Sequence, residues 1–158
     1  MTVINTNNFI DDGVSNIIET IKNHQSEFDL EIRGHNFYPS DVLFVPDTPS
    51  IAVEWAELVN SEHRAMRGDG AEHDLTNSYN IVYYQQEFSE ELLFEKMRVS
   101  VDELIKLLLK YSNLDGYVHD RRTSVTAARP GIRRARLNGL FFSGVLSFRI
   151  TKRKIIEF

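Results

Sequence analysis

The segment from Ser89 to Asn113 has the longest consistent helical period in the chain. Ser89 is a typical N-cap residue, and Asp115 and Gly116 end the pattern. Because segments with strand patterns precede and follow this helix, we expect it to pack across one face of a sheet. Its apolar residues recur three or four positions apart, which places them on one helix face: Leu93, Met97, Val101, Leu104, Leu108 and Tyr111.

The rest of the chain predicts an N-terminal helix and five strands. Ile and Val residues recur at helical spacing over Asn8–His24, with Asn7 or Asn8 as the cap. Apolar residues occur on both faces of the strand at Ser78–Phe88, which is typical of a central strand. The strand patterns occupy Phe28–Arg33, Ser50–Glu57, Ser78–Phe88, Tyr117–Ala128 and Leu137–Lys152.

The element order α-β-β-β-α-β-β excludes a doubly wound parallel sheet, in which strands and helices alternate. At 158 residues, the chain has the usual size of one domain. The sequence therefore predicts a single α+β domain over residues 1–158. An antiparallel or mixed sheet is crossed by the long helix, while a loop at 60–77 and a hairpin at 119–152 project from it.

Several classes of protein are excluded or disfavoured by composition. The chain has no cysteine, which excludes disulfides, thiol catalysis and cysteine-ligated zinc and suits a reducing cytoplasm. The start, MTVINTNNFIDDG, lacks the features of a signal peptide, and the apolar stretch Leu137–Phe148 is too short to span a bilayer. No glycine-rich phosphate loop or Gly-x-Ser-x-Gly elbow is present. We expect a soluble, non-enzymatic protein with no cofactor and no membrane partner.

The polar run at 60–77 has no period and is predicted to be a solvated loop. Its two histidines are ten positions apart and match no metal-binding motif, so we expect no metal site. Arg64, Arg67 and Asp69 are its candidate contact residues. The residue types that ligate metals in this run are Glu62, His63, Asp69, Glu72, His73 and Asp74.

Charge is divided unevenly along the chain. Residues 1–118 have a balance of −13 and residues 119–158 a balance of +8, which gives the net charge of −5. The hairpin at 119–152 is therefore a basic hairpin, and it can contact an acidic subunit, remain a solvated turn or bind nucleic acid. We favour a subunit contact because the same chain has an acidic body. The candidate interface residues are Arg121, Arg122, Arg129, Arg133, Arg134 and Arg136.

Six segments carry a resemblance to a known family. They are NIIETIKNH, PSIAVEWAE, SYNIVYYQQEF, EELLFEKMRVSVDELIKLLLKY, LDGYVHD and GVLSFRITKR. Their order resembles that of the tail-terminator (tail-completion) proteins of long-tailed bacteriophages. Those proteins have an N-terminal helix, three strands, a long helix and a final pair of strands. The likeness spans nearly the whole chain.

The resemblance implies a structural virion protein that forms a homo-hexameric ring on the completed tail tube, stops its polymerisation and joins the tail to the head. The implied partners are other copies of the chain, the tail tube protein and a head-completion or neck protein, with DNA passing through the ring without sequence-specific binding. The implied location is the virion, and the host cytoplasm during assembly. The alternatives are another neck, head-closure or minor capsid protein, and a nucleic-acid-binding module that uses the basic hairpin.

Overall fold

A computed structural model describes residues 12–40, 47–65, 70–87, 89–118, 123–127, 131–134 and 140–157. Within these ranges, two α-helices and a six-stranded mixed sheet confirm the predicted α+β class. Short 3-10 turns at Gln25–Phe28 and Gly34–Asn36 follow the first helix. The elements are α1 (Gly13–His24), β1 (Phe37–Tyr38), β2 (Ser50–Ala65), β3 (Gly70–Glu87), α2 (Glu90–Lys110), β4 (Thr123–Ala127), β5 (Gly131–Arg134) and β6 (Leu140–Glu157).

The sheet has the order β1-β2-β3-β6-β4, and β5 also pairs with β6. The β1–β2 pair is parallel, and the other pairs are antiparallel. Because β3 occupies one side of β6 along its whole length, β4 and β5 share the other side. They pair with different parts of β6, β4 at Leu146–Ile150 and β5 at Leu140–Ser143. One edge of the sheet is therefore formed by β1 and β2, and the other by β4 and β5.

Helix α2 forms where its period and cap predict it. The Ser89 side chain accepts a hydrogen bond from the Leu92 backbone N–H at 3.4 Å, which satisfies one free donor of the first turn. The helix ends at Lys110, three residues before the predicted end. The described members of the predicted apolar face, Met97, Val101, Leu104, Leu108 and Tyr111, all belong to the core cluster or pack against it.

The main core lies between the sheet and the two helices. Ile17 and Ile21 of α1 and Leu104 of α2 are fully buried against strand residues such as Tyr79 and Phe148. The opposite face carries a smaller buried cluster of Ala52, Val82 and Tyr84, with Tyr38 packed against it. Strand β3 is therefore buried on both faces in this part of the sheet, which confirms the central position predicted for it.

The predicted strand at Phe28–Arg33 is wrong. Phe28 ends a 3-10 turn, and Asp29 has a positive φ of 54°. The Gln25 side chain donates to the Ile32 carbonyl at 3.0 Å and accepts from the Ile32 N–H at 2.8 Å, so it takes the hydrogen bonds that a neighbouring strand would make. Leu30 and Ile32 are both buried, which gives this irregular segment the alternation of a strand.

The predicted loop at 60–77 is also wrong for most of its length. Strands β2 and β3 remain paired out to Ala65 and Ala71, so residues 60–65 and 70–77 form an antiparallel ribbon, and 66–69 lie outside the described residues. The sequence of this ribbon is polar at most positions and shows no apolar alternation, but the backbone ladder does not require one. Residues 70–77 also pair with β6, so this part of the chain belongs to the main sheet.

The remaining boundaries differ in smaller ways. The first helix begins at Gly13 with Asp12 as N-cap, and the predicted caps Asn7 and Asn8 lie outside the described residues. The predicted strand at Tyr117–Ala128 is shorter and begins at Thr123, while the predicted strand at Leu137–Lys152 continues to Glu157. Strand β5 lies between these two predicted strands, where the sequence pattern predicts no strand. No helix within the described ranges is long and apolar enough to cross a membrane.

Candidate subunit interface

Over most of its length, the outer edge of β2 has no pairing partner among the described strands. Strand β1 pairs only with Ile51 and Ala52, and no other described strand pairs with this side of β2. The edge from Val53 to Ala65 therefore presents backbone N–H and C=O groups that a further strand can pair with. Trp55 and Val59 on this strand are 40% and 45% exposed. An exposed edge with large apolar residues is typical of a contact surface.

Two register shifts divide β2 into regular parts. One lies between Trp55 and Glu57 and the other between Glu62 and Arg64. The Trp55 ring is fixed beside the first shift, because its Nε1 donates to Asn77 Oδ1 at 3.0 Å. Between the two shifts, Glu57–Glu62 pairs with β3 without interruption. This segment is the longest regular part of the open edge.

The sheet face away from the helices is polar next to this edge. Asn80 of β3 donates to Glu54 of β2 at 3.3 Å, and the Thr76 and Thr151 hydroxyls are hydrogen-bonded at 2.9 Å. Arg149 on β6 is exposed. Side chains that are hydrogen-bonded across three strands hold this surface in a fixed arrangement.

The strand order places opposite charges at opposite edges of the sheet. Strand β2 contains Glu54, Glu57 and Glu62 against one basic residue, Arg64. The β5 strand contains Arg133 and Arg134, which are in register with Phe141 and Leu140 of β6. The basic residues of β6 are Arg149, Lys152, Arg153 and Lys154. The acidic β2 therefore lies near one edge, while the basic β5 lies at the other edge with the basic β6 beside it, and β3 separates β2 from β6.

The predicted contact residues are divided between these two edges. Arg133 and Arg134 lie on β5, and Arg64 lies on β2 in register with Glu72. The structure therefore does not bring Arg64 together with the two arginines of β5. The other predicted residues lie outside the described ranges: Arg67, Asp69, Arg121, Arg122, Arg129 and Arg136.

A polar and aromatic cluster that the sequence did not predict joins the ends of α1 and α2. The His24 and Tyr111 rings are stacked with centroids 3.6 Å apart and an interplanar angle of 10°. His24 Nε2 lies 2.7 Å from Asp115 Oδ1. Glu27 Oε2 accepts hydrogen bonds from the Tyr111 hydroxyl at 2.6 Å and from Lys110 Nζ at 3.2 Å. We call these five residues the helix-end cluster.

The electrostatics of the helix-end cluster are set by its own contacts. The hydrogen bond from Tyr111, followed by the one from Lys110, holds the pKa of Glu27 below its ordinary value. The same Glu27 carboxylate raises the pKa of both the Tyr111 hydroxyl and the Lys110 ammonium. These contacts therefore favour the charged forms of Glu27 and Lys110 and the protonated hydroxyl of Tyr111.

The contacts of His24 within the helix-end cluster involve both ring nitrogens and one ring face. One His24 nitrogen bonds Asp115, the other lies 3.9 Å from Glu27 Oε1, and Tyr111 covers one ring face. Among the residues that the structure describes, no group of three or more His, Asp or Glu residues could hold a metal ion.

Comparison with known protein families finds no family that matches this chain, and comparison with curated proteins finds no matching relative.

Proposed function

We propose that this protein is a structural virion protein of a long-tailed phage. It forms a homo-hexameric ring on the end of the tail tube, stops the growth of the tube and provides the surface that joins the tail to the head. It acts through shape and interfaces, without catalysis and without a cofactor. Its partners are further copies of itself, the tail tube protein and a head-completion or neck protein, and DNA passes through the ring without sequence-specific binding.

The observation that carries this proposal is the opposite charge of the two sheet edges. A ring of identical subunits uses heterologous contacts, in which one surface of each subunit meets a different surface of the next. The acidic β2 and the basic β5 and β6 provide two such surfaces on opposite sides of one sheet. Complementary charge guides the association and fixes which surfaces meet.

The open edge of β2 supports the same proposal. Stable monomers commonly protect an edge strand with lysine or proline or cover it with another element. The described edge from Val53 to Ala65 contains neither residue and exposes Trp55 and Val59. A neighbouring subunit in a ring would cover this edge and remove both side chains from water.

The test is the molar mass of the purified protein by light scattering over a range of concentration and salt, followed by electron microscopy of the protein with tail tubes. We expect a hexamer, or a monomer that becomes one with rising concentration, and a ring at tube ends. Failure to bind tube ends would remove the tail-terminator function. Binding to the portal side of the head in place of the tube would instead assign the protein to head closure.

A further inference from the structure

We propose that the open edge of β2 between Glu57 and Glu62 binds β4 of a second copy of this chain as an added antiparallel strand. This inference rests on the proposed ring and identifies the backbone contact within it. The sheets of neighbouring subunits would then be continuous. The occupant of the β2 edge is Thr123–Ala127 of the next subunit.

The two segments match in length and are both available for pairing. Strand β4 has 5 residues, and the segment Glu57–Glu62 lies between two register shifts and is one residue longer. Strand β4 pairs with β6 on one side only, and no described strand pairs with its other side. Each subunit therefore presents one short open strand and one regular open segment of nearly equal length.

Strand direction favours this pairing. Strands β2 and β6 run in the same direction, because both are antiparallel to β3. Strand β4 is antiparallel to β6 and is therefore also antiparallel to β2. A second copy in the same orientation places its β4 antiparallel to β2 of the first copy. This is a head-to-tail contact, as a ring requires, and antiparallel pairs are slightly more stable than parallel ones.

The sequences of both strands allow strand addition. The β4 sequence TSVTA contains three β-branched residues and no proline or lysine, so it lacks the usual protection of an edge strand. On β2, Glu57 and Val59 are exposed. Beside β4, the exposed Arg149 of β6 is in register with Ser124, which brings positive charge to the edge that would approach the acidic β2.

The register gives a prediction at the level of single residues. Val59 is in register with Thr76, which is in register with Thr151, and these are positions on the face away from the helices. Ser124 and Thr126 are in register with Arg149 and Ser147 on that same face, whereas Val125 is in register with the buried Phe148. In a continuous sheet, position 59 therefore lies near position 124 or 126 of the next subunit. It does not share a face with position 125.

Disulfide crosslinking tests this arrangement because the chain has no cysteine of its own. Opposite residues of an antiparallel pair have Cα atoms about 4.5–5.5 Å apart, which is within the range that a disulfide can bridge. The variants are Val59→Cys combined with Ser124→Cys, with Val125→Cys or with Thr126→Cys. Each is oxidised under the conditions in which light scattering detects assembly and is then separated on a non-reducing gel.

We expect a ladder of covalent oligomers from position 124, position 126 or both, and none from position 125. A mixture of the two corresponding single variants should stop at dimers, and each single variant alone should give none. Leu109→Cys with Thr126→Cys is the matched control, because Leu109 is exposed on α2 and belongs to neither of the two strands that would pair. Circular dichroism and thermal unfolding of each variant show that the fold is retained.

Four outcomes would overturn the proposal. They are assembled protein without a ladder of covalent oligomers, equal crosslinking through 124, 125 and 126, dimers from Val59→Cys alone, which indicate a two-fold contact between β2 strands, and a protein that remains monomeric at every concentration. Binding of tube ends is scored separately. Covalent oligomers without binding to tube ends would support strand addition and remove the tail function. Binding to tube ends without covalent oligomers would support the tail function and remove strand addition.

Discussion

Gly13, the first residue of α1, lies directly against the ring of Tyr79 in the central strand. A Cβ atom built on Gly13 would lie 2.3 Å from Tyr79 Cζ and 2.4 Å from its hydroxyl oxygen. Tyr79 is fully buried, so its ring has little room to move. Glycine at this position allows the start of α1 to approach the sheet closely.

Gly13→Ala should therefore destabilise the protein. Helix propensity alone favours alanine over glycine by about 1 kcal/mol, but inserting a methyl group into a packed site costs about 1–3 kcal/mol. We expect a net loss of about 1 kcal/mol in the free energy of unfolding, measured by urea denaturation. Ser15→Ala, at an exposed position of the same helix, is the control and should be neutral or slightly stabilising. A Gly13→Ala protein as stable as the control would contradict the close contact.

Truncating a buried leucine of α2 should lower the stability of the protein far more than truncating an exposed one. Leu104 is fully buried, whereas Leu109, five residues later, is 61% exposed. Leu104→Ala should lower the free energy of unfolding by about 2–5 kcal/mol, because it removes buried apolar area and leaves a cavity. Leu109→Ala should change it by less than about 0.5 kcal/mol. Similar losses for both variants in the same denaturant titration would mean that α2 packs through a different face.

Helix α2 could be predicted from sequence because its signals are local. Met97, Leu104 and Leu108 recur at helical spacing, and the cap residue Ser89 precedes them by only a few turns of the same helix. The pairing of β2 with β3 at residues 60–65 and 70–77 could not be predicted, because it depends on the backbone and the side chains there show no apolar alternation. Phe28–Arg33 was misread because the Gln25 side chain provides hydrogen bonds that no periodicity reveals.

The candidate interface was predictable only in part. Segregation of charge along the chain is visible in the sequence, and it suggested an acidic body and a basic hairpin. Their placement at opposite edges follows from the order β1-β2-β3-β6-β4, which no local pattern specifies. The helix-end cluster was missed for the same reason, since Glu27 and Tyr111 are 84 positions apart.

The helix-end cluster should make stability depend on pH in the acidic range. The pKa of Glu27 is lowered in the folded protein. At a pH near the ordinary pKa of glutamate, the folded state therefore binds fewer protons than the unfolded state. The contribution of Glu27 to the free energy of unfolding is fully present above the ordinary pKa of glutamate, and it is lost as pH falls through the pKa of Glu27 in the folded protein. Glu27→Gln should give a flatter dependence of unfolding free energy on pH between neutrality and about pH 3, and the effect should be small because Glu27 is partly exposed.

Urea unfolding at a series of pH values measures this difference. Glu31→Gln is the matched control, because Glu31 is exposed and lies outside the helix-end cluster. If Glu27→Gln follows the wild-type pH profile as closely as Glu31→Gln does, the hydrogen bonds to Tyr111 and Lys110 do not contribute to stability in solution.

Reversing the charge of β5 should disrupt the proposed ring. Arg133→Glu combined with Arg134→Glu would place negative charge on the edge of the sheet that approaches the acidic β2 of the next subunit, and we expect association to weaken by about tenfold or more. The wild-type assembly should itself weaken as ionic strength rises, because dissolved ions screen the attraction between the acidic and the basic surface. Light scattering over the same concentrations at low and physiological salt measures both effects.

Two further variants determine whether the position of the charge matters. Arg98→Glu with Lys106→Glu makes the same change in net charge on exposed positions of α2 and should leave assembly intact. Glu54→Lys with Glu57→Lys reverses the charge of the opposite edge, and mixing this variant with the β5 double variant should restore association through a complementary pair of surfaces.

Unchanged assembly of the β5 double variant at physiological salt would show that β5 is not the contact. If that variant instead lost a salt-dependent retention of duplex DNA, the basic hairpin would be assigned to nucleic acid.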